Sequence, residues 1–248
     1  MPNYSRSVDT YSPFYTPIGV KWLVIVNSAM FVLYFFSLQF DIARGFFSLL
    51  PLQPIFVLKM FFIWQPVTYL FLHADFGHII FNMLSLWFFG KDLEITWGTK
   101  RFLQFYFLCG VGAALCVIVA NALFGNMRSS TVGASGAIYG LLMAFGILFP
   151  DRTVYYFFFP IKAKYLVLIS GAVAFMMSFA GSDSGVSHIA HLGGMLFGFF
   201  YLKTKYRNSV DVVGLARQAY KDWKLKRARK KFQVYMSKNR NDKDRWAN

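Results

Sequence analysis

Charged side chains are scarce in this 248-residue chain: Asp, Glu, Lys and Arg make up 15% of it, against about 25% in an ordinary soluble domain. Acids are the scarcer sign, 11 against 26 Lys and Arg. Cysteine occurs twice, which excludes a disulfide-stapled secreted module. Cys109 and Cys116 lie on one apolar segment at a spacing that does not suit a bridge between them. Histidine occurs four times, with no HExxH pair and no acid spaced beside it as a metal ligand, so neither a metal nor a cofactor is expected. Fixed-period repeats and low-complexity tracts are absent. What is plentiful is apolar: 56% of the residues are hydrophobic, 20% are aromatic, and Phe alone contributes 30. One globular core cannot enclose so much, which excludes a soluble globule as well as a disordered chain. A lipid bilayer is the simplest solvent for that surface.

Apolar runs of bilayer-spanning character fall near 22–40, 78–97, 102–124, 135–149, 162–181 and 186–202. Six spans return both ends of the chain to one side. The first run has no small-residue cleavage pattern after it and reads as a retained helix rather than a signal peptide. Of the 26 Lys and Arg, 23 lie on one side of this topology, and Arg44, Lys59 and Arg128 lie on the other. The positive-inside rule then makes both termini cytoplasmic. Residues 203–248 hold 15 of the cations and four of the acids, and this tail reads as an anchor beside anionic headgroups. No nucleic-acid-binding fold is legible in it, so no nucleic-acid partner is expected. The expected organisation is an amino-terminal cytoplasmic tail over 1–20, an all-α six-helix membrane domain over 21–203 and a basic cytoplasmic tail over 204–248. A short, six-spanned chain without an Arg- and Ser-rich presequence points to a bacterial inner membrane, with an organellar membrane as the alternative.

The run from Pro54 to Leu72 is long enough to be mistaken for a seventh span. Lys59, Gln65 and Pro66 argue against it, because they would leave a charge, an amide and a broken backbone bond facing lipid. Residues 41–77 are read as a long, partly embedded outer loop with short helical pieces.

The histidines form two tight groups, His73 and His78 at the start of the second span and His188 and His191 at the start of the sixth. Gly133-Ala134-Ser135-Gly136 opens the fourth. All three features therefore share the membrane face poor in Lys and Arg. From Ser135 to Phe149 the fourth span is about 22 Å long, against a hydrocarbon core of about 30 Å. Ser135 accordingly lies below the outer boundary, where non-helical chain must pack in protein or line a wet cavity. Gly133 and Gly136 allow close approach, and the helix amino terminus offers N–H groups to an oxyanion. His78 and Asn82, four apart, share a helix face and can donate to developing negative charge. His191 is followed by Gly194 and Gly198 on one face, a small-residue device that presses the sixth helix against the fourth and brings His191 level with Ser135. Serine and histidine then read as nucleophile and general base, with Tyr139 placed to stack on the imidazole. Taken singly, each feature has an ordinary packing alternative. No carboxylate is placed to complete a triad; Asp183 lies in the loop before His191.

This constellation resembles the rhomboid family of intramembrane serine proteases. The resemblance rests on His73-x4-His78-x3-Asn82, then Gly-Ala-Ser135-Gly with Tyr139, then Ala190-His191-x2-Gly194-x3-Gly198, in that order on alternate helices, and covers roughly residues 20–203. Trp64 in the first loop and Gly90-x3-Glu94 at the inner end of the second span agree with it. It implies a six-helix rhomboid-like bundle in which Ser135 is the nucleophile and His191 the base of a dyad. The Ser135 N–H, His78 and Asn82 would form the oxyanion hole, Tyr139 would stack on His191, and His73 would hold the first loop. The implied reaction is hydrolysis of a peptide bond in or near the outer end of a substrate transmembrane helix. The fifth span and the loop 181–187 are expected to form a movable side and cap. The alternative is a catalytically silent relative that binds membrane clients. One departure is plain: where many members carry Trp-Arg, this chain has Trp64-Gln65, without the guanidinium that would tie the first loop to headgroups or backbone carbonyls.

Overall fold

The structure is a computed structural model and describes residues 15–37, 39–124, 126–156, 159–179 and 187–205, with four further residues at 224–225 and 227–228. The loop 181–187 thus lies outside the described residues except for Ser187, as do Asp183 and nearly all of the basic tail. The chain separates into two units, the first ending at Lys205.

Helix α1 (Ile18–Ser37) is apolar on every side, yet only Gly19, a stripe of Val20, Leu23, Asn27 and Phe31, and Ser37 are buried. Trp22, Ile25, Val32, Leu33 and Phe36 on its other faces are exposed, an arrangement suited to lipid and not to water. The helix starts four residues before the apolar run suggests, because Glu94 reaches its first turn. The Gly19 and Val20 N–H groups donate to the two Glu94 carboxylate oxygens, each at 2.7 Å, and Thr99 Oγ1 donates to the same carboxylate at 2.6 Å. A buried anion on unpaired N–H groups at the positive end of a helix is favourable. Replacing Glu94 with alanine should lower stability by about 3 kcal/mol, since charged hydrogen bonds are lost and buried donors are left unpaired. Detergent-induced unfolding of the purified protein would read the change, with Glu94→Gln intermediate.

The segment after α1 carries α2 (Asp41–Phe47), α3 (Pro54–Met60), α4 (Gln65–Thr68) and a 3-10 turn (Tyr69–Phe71), none longer than seven residues. Pro54 opens α3, where its missing N–H costs nothing. Leu52 pairs with Thr131 through two backbone hydrogen bonds, tying this loop to the stretch before the fourth long helix. Gln65 is fully buried and holds the loop with both ends of its amide: Nε2 donates to the Leu49 carbonyl at 3.1 Å and Oε1 accepts the Gln53 N–H at 3.0 Å. Trp64 Nε1 donates to the same Leu49 carbonyl. The tie that the sequence lacks as arginine is therefore present as an amide.

Helix α5 (Phe76–Trp97) starts under Asp75, whose side chain accepts the His78 N–H at 2.8 Å. After Gly98, α6 (Thr99–Phe124) returns. The central helix α7 (Ser135–Leu148) is the shortest of the six long helices, about 21 Å. It packs on α5, α6, α8 (Ala163–Met177) and α9 (His188–Lys205). Helices α1 and α6 are long and apolar enough to cross a bilayer by themselves, whereas α7 and α8 are shorter. Helix α8 ends at Met177, four residues before the expected limit, where Ser178 Oγ donates back to the Ala174 carbonyl.

One element departs from the all-α expectation. Between α7 and α8, β1 (Thr153–Tyr156) pairs antiparallel with β2 (Phe159–Lys162), Thr153 opposite Lys162 and Tyr156 opposite Phe159. The stretch after Pro150 is rich in aromatic and β-branched residues, which favour extended pairing. Arg152 anchors it by a 3.2 Å ion pair to Asp92 of α5. Lys164 donates to Asp151 at 2.8 Å and holds that exposed carboxyl below the usual carboxylate range.

Candidate active site

Three chain segments meet at the end of the bundle where α7 begins. Gly133 precedes the helix at φ +117°, a conformation open to glycine and strained for other residues. Its N–H donates to the Tyr69 carbonyl at 2.9 Å, which seats the approach to Ser135 on the 3-10 turn of the first loop. Ser135 is the first residue of α7, so its own N–H belongs to the unpaired set at a helix start.

His191 enters from α9, buried to 6% exposure. Its Nε2 lies 2.8 Å from Ser135 Oγ. The Tyr139 ring, one turn into α7, stacks on the imidazole with centroids 4.1 Å apart and planes 3° apart. For Nε2 to accept the hydroxyl proton, the imidazole proton must reside on Nδ1, which is buried and has no hydrogen-bond partner among the described residues. His188 meets His191 edge to face at 5.6 Å, at the start of α9.

His78 stands across Gly133. Its Nδ1 is 3.5 Å from the Ala74 N–H, an acceptor geometry that leaves the proton on Nε2. Nε2 is buried without a partner among the described residues. A Cβ on Gly133 would sit 2.7 Å from this nitrogen and 3.8 Å from Ser135 Oγ, so the missing side chain keeps the space between donor and hydroxyl open. Asn82 lies one turn deeper, and its Nδ2 donates to the His78 carbonyl at 2.8 Å, leaving one amide hydrogen. His73 is fully buried, meets His78 edge to face at 5.1 Å, and has neither ring nitrogen paired among the described residues.

The remaining glycines make the juxtaposition. A Cβ on Gly194 would run into the Gly136 carbonyl, and one on Gly198 would lie 3.1 Å from the Gly140 carbonyl. The α7 and α9 backbones therefore touch along Gly136-x3-Gly140 and Gly194-x3-Gly198, the close approach that small-residue spacing permits. Gly140 was not singled out in the sequence, although its spacing from Gly136 repeats the signal read at Gly194 and Gly198. Tyr69 was also missed. Its hydroxyl donates to the Gly110 carbonyl at 2.8 Å and lies under Gly136, and nothing in the apolar run around it marks it.

The fold and site define a class: a helical membrane protein with a serine at the start of a short, enclosed helix, hydrogen-bonded to a histidine from a neighbouring one. Sequence comparison agrees, since the family model described as the Rhomboid domain matches residues 60–208, more than half of the chain. The chain belongs to the rhomboid family, whose members are integral membrane proteins. It is similar to "Rhomboid protein 1, mitochondrial" of Saccharomyces cerevisiae, 33% identical over 140 residues, or 53% of this chain and 38% of that protein. "RHOMBOID-like protein 6, mitochondrial" of Arabidopsis thaliana is 34% identical over 63% of this chain and 52% of its own length. "Rhomboid protease GluP" of Bacillus subtilis is 31% identical over 55% and 25%, respectively. The chain thus spans about half or less of each of these relatives.

Proposed function

We propose that this chain is an intramembrane serine endopeptidase working through a Ser135–His191 dyad. The observation that carries the reading is the 2.8 Å contact between Ser135 Oγ and His191 Nε2, held on one side by the parallel Tyr139 ring. Ser135 Oγ attacks a substrate carbonyl carbon and passes its proton to His191 Nε2. The carbonyl oxygen becomes an oxyanion facing the Ser135 N–H and the unpaired His78 Nε2–H, with the remaining Asn82 amide hydrogen as a third donor. Collapse of the tetrahedral species breaks the C–N bond, and His191 returns the proton to the leaving amine. Water, with His191 again as base, then hydrolyses the acyl-serine and restores the hydroxyl.

The substrate in this reading is a transmembrane helix cut in or near its outer end, where small or helix-weakening residues free a carbonyl from its internal hydrogen bond. The six long helices are six spans, with both termini on the side rich in Lys and Arg, the cytoplasmic side of a bacterial inner membrane. The membrane domain ends with α9, and the tail beyond it lies near anionic headgroups. Helix α8 packs on α7 and α9, with at most marginal contact to α5, so the α5–α8 side is the one through which a substrate helix enters.

A serine-reactive phosphonate tests the reading without a known substrate. Wild-type protein should acquire one label, on the peptide bearing Ser135, and His78→Ala should slow labelling by roughly a hundredfold with the fold intact. Folded wild type that takes no label in lipid would overturn the protease reading and favour a silent, client-binding relative.

A further inference from the structure

Outside the dyad, one feature of the bundle is built and unclaimed. An open groove of about 660 Å³ runs between helices α8 and α9. Val167, Gly171 and Phe175 form one wall, and Leu192, Leu196 and Phe199 form the other. Met143 of α7 and Cys116 of α6 lie behind them. The groove uses a different face of α9 from the one on which His191, Gly194 and Gly198 meet α7. Its walls offer almost nothing polar, so water is a poor occupant.

Length and charge narrow the occupant. From Val167 to Phe175, and from Ile189 to Phe199, each wall runs for about 12–15 Å, close to the hydrocarbon depth of one leaflet, about 15 Å. Both walls lead to a lysine at the same end. Lys164 lies one turn before Val167 and Leu168 on α8, and Lys203 lies one turn after Phe199 on α9, exposed. Lys164 shares Asp151 with Lys162, and Lys203 adds a further cation at this end of the groove. It is also the end that bears the hairpin and the chain's cationic side.

We propose that the groove between α8 and α9 binds one acyl chain of an anionic phospholipid of the cytoplasmic leaflet, with its headgroup held between Lys164 and Lys203. Gly171 gives the chain room: a Cβ there would meet only Met195, at ordinary contact distance, 3.5 Å from its terminal carbon. Ala172, exposed beside it, marks the lip. The site is independent of the Ser135 reading, so phosphonate labelling and lipid binding succeed or fail separately.

The test uses the full chain reconstituted with phosphatidylglycerol or phosphatidylcholine carrying a photoreactive diazirine on the acyl chain. Crosslinks should concentrate on peptides covering 164–177 and 188–203, with higher yield for phosphatidylglycerol. Ala172→Trp, which fills the groove from its lip, should cut that yield about tenfold, equivalent to about 1.4 kcal/mol of affinity. Lys203→Glu should remove the headgroup preference and leave the phosphatidylcholine yield unchanged. Gly171→Leu is the second filling variant should Ala172→Trp not fold, as judged by circular dichroism and gel filtration. Crosslinks spread evenly over every lipid-facing helix, equal yields for the two headgroups, or a protein crosslinked in the groove instead of lipid would each overturn the proposal.

Discussion

Ser135→Ala is expected to lower kcat/KM toward a cleavable transmembrane substrate by at least about ten thousandfold, with His191→Ala nearly as damaging and the double variant no worse than either. The reason is the shared proton. Ser135 Oγ and His191 Nε2 are 2.8 Å apart, the imidazole has no carboxylate partner among the described residues, and its tilt is fixed by Tyr139. Removing the hydroxyl leaves a base with nothing to deprotonate, and removing the base leaves an alcohol whose proton has nowhere to go. Groups acting as a unit give such non-additive losses, whereas independent contributions multiply. Single-turnover cleavage of a fluorescent transmembrane peptide in liposomes would measure all three variants, with circular dichroism as the fold control. A double variant slower than both singles by the product of their effects would mean that the two residues do not act as one unit.

Gly194→Val should be the most destructive substitution away from the reacting atoms. Even a Cβ at residue 194 runs into the Gly136 carbonyl, and backbone cannot swing aside as a flexible side chain can. Gly136 is the residue after Ser135, so relief by moving α7 and α9 apart would open the serine–histidine contact in the same motion. The cost of overpacking here should be about 3 kcal/mol or more. The expected result is a large loss of resistance to detergent-induced unfolding together with loss of phosphonate labelling. Gly198→Ala should be milder, because its Cβ would lie 3.1 Å from the Gly140 carbonyl. Labelling at the wild-type rate in Gly194→Val would show that the close backbone approach is not what aligns the dyad.

The long helices were legible because each is an apolar run bounded by polar or turn residues. Their ends were less so, because ends are set by partners far away in sequence. Glu94 lies 75 residues from Gly19, and only the packed bundle shows that it extends α1 to Ile18. The hairpin over 153–162 was hidden because a short aromatic-rich connector reads equally well as interfacial loop. At the candidate site, helix periodicity placed His78 with Asn82 and His191 with its two glycines. Periodicity says which residues share a face but not which atoms stay unpaired. That His78 Nε2 is unpartnered among the described residues, while Asn82 donates to its own helix, is a matter of rotamers. Tyr69 supports Gly133 through its main-chain carbonyl, a contact available to any residue type and therefore invisible in composition.

Gln65 has a wider consequence for how the first loop behaves in different surroundings. An arginine tie would carry a permanent charge, and its strength would vary with ionic strength and with the phosphate content of the leaflet. The amide that replaces it is itself fully buried and closes a neutral set of hydrogen bonds to Leu49 and Gln53. With no net charge in those bonds, salt and headgroup charge act on them far less than on an ion pair. The loop that supplies the Tyr69 carbonyl to Gly133 is thereby insulated from the electrical character of the membrane around it. The same fold can hold its site steady in bilayers of quite different lipid composition.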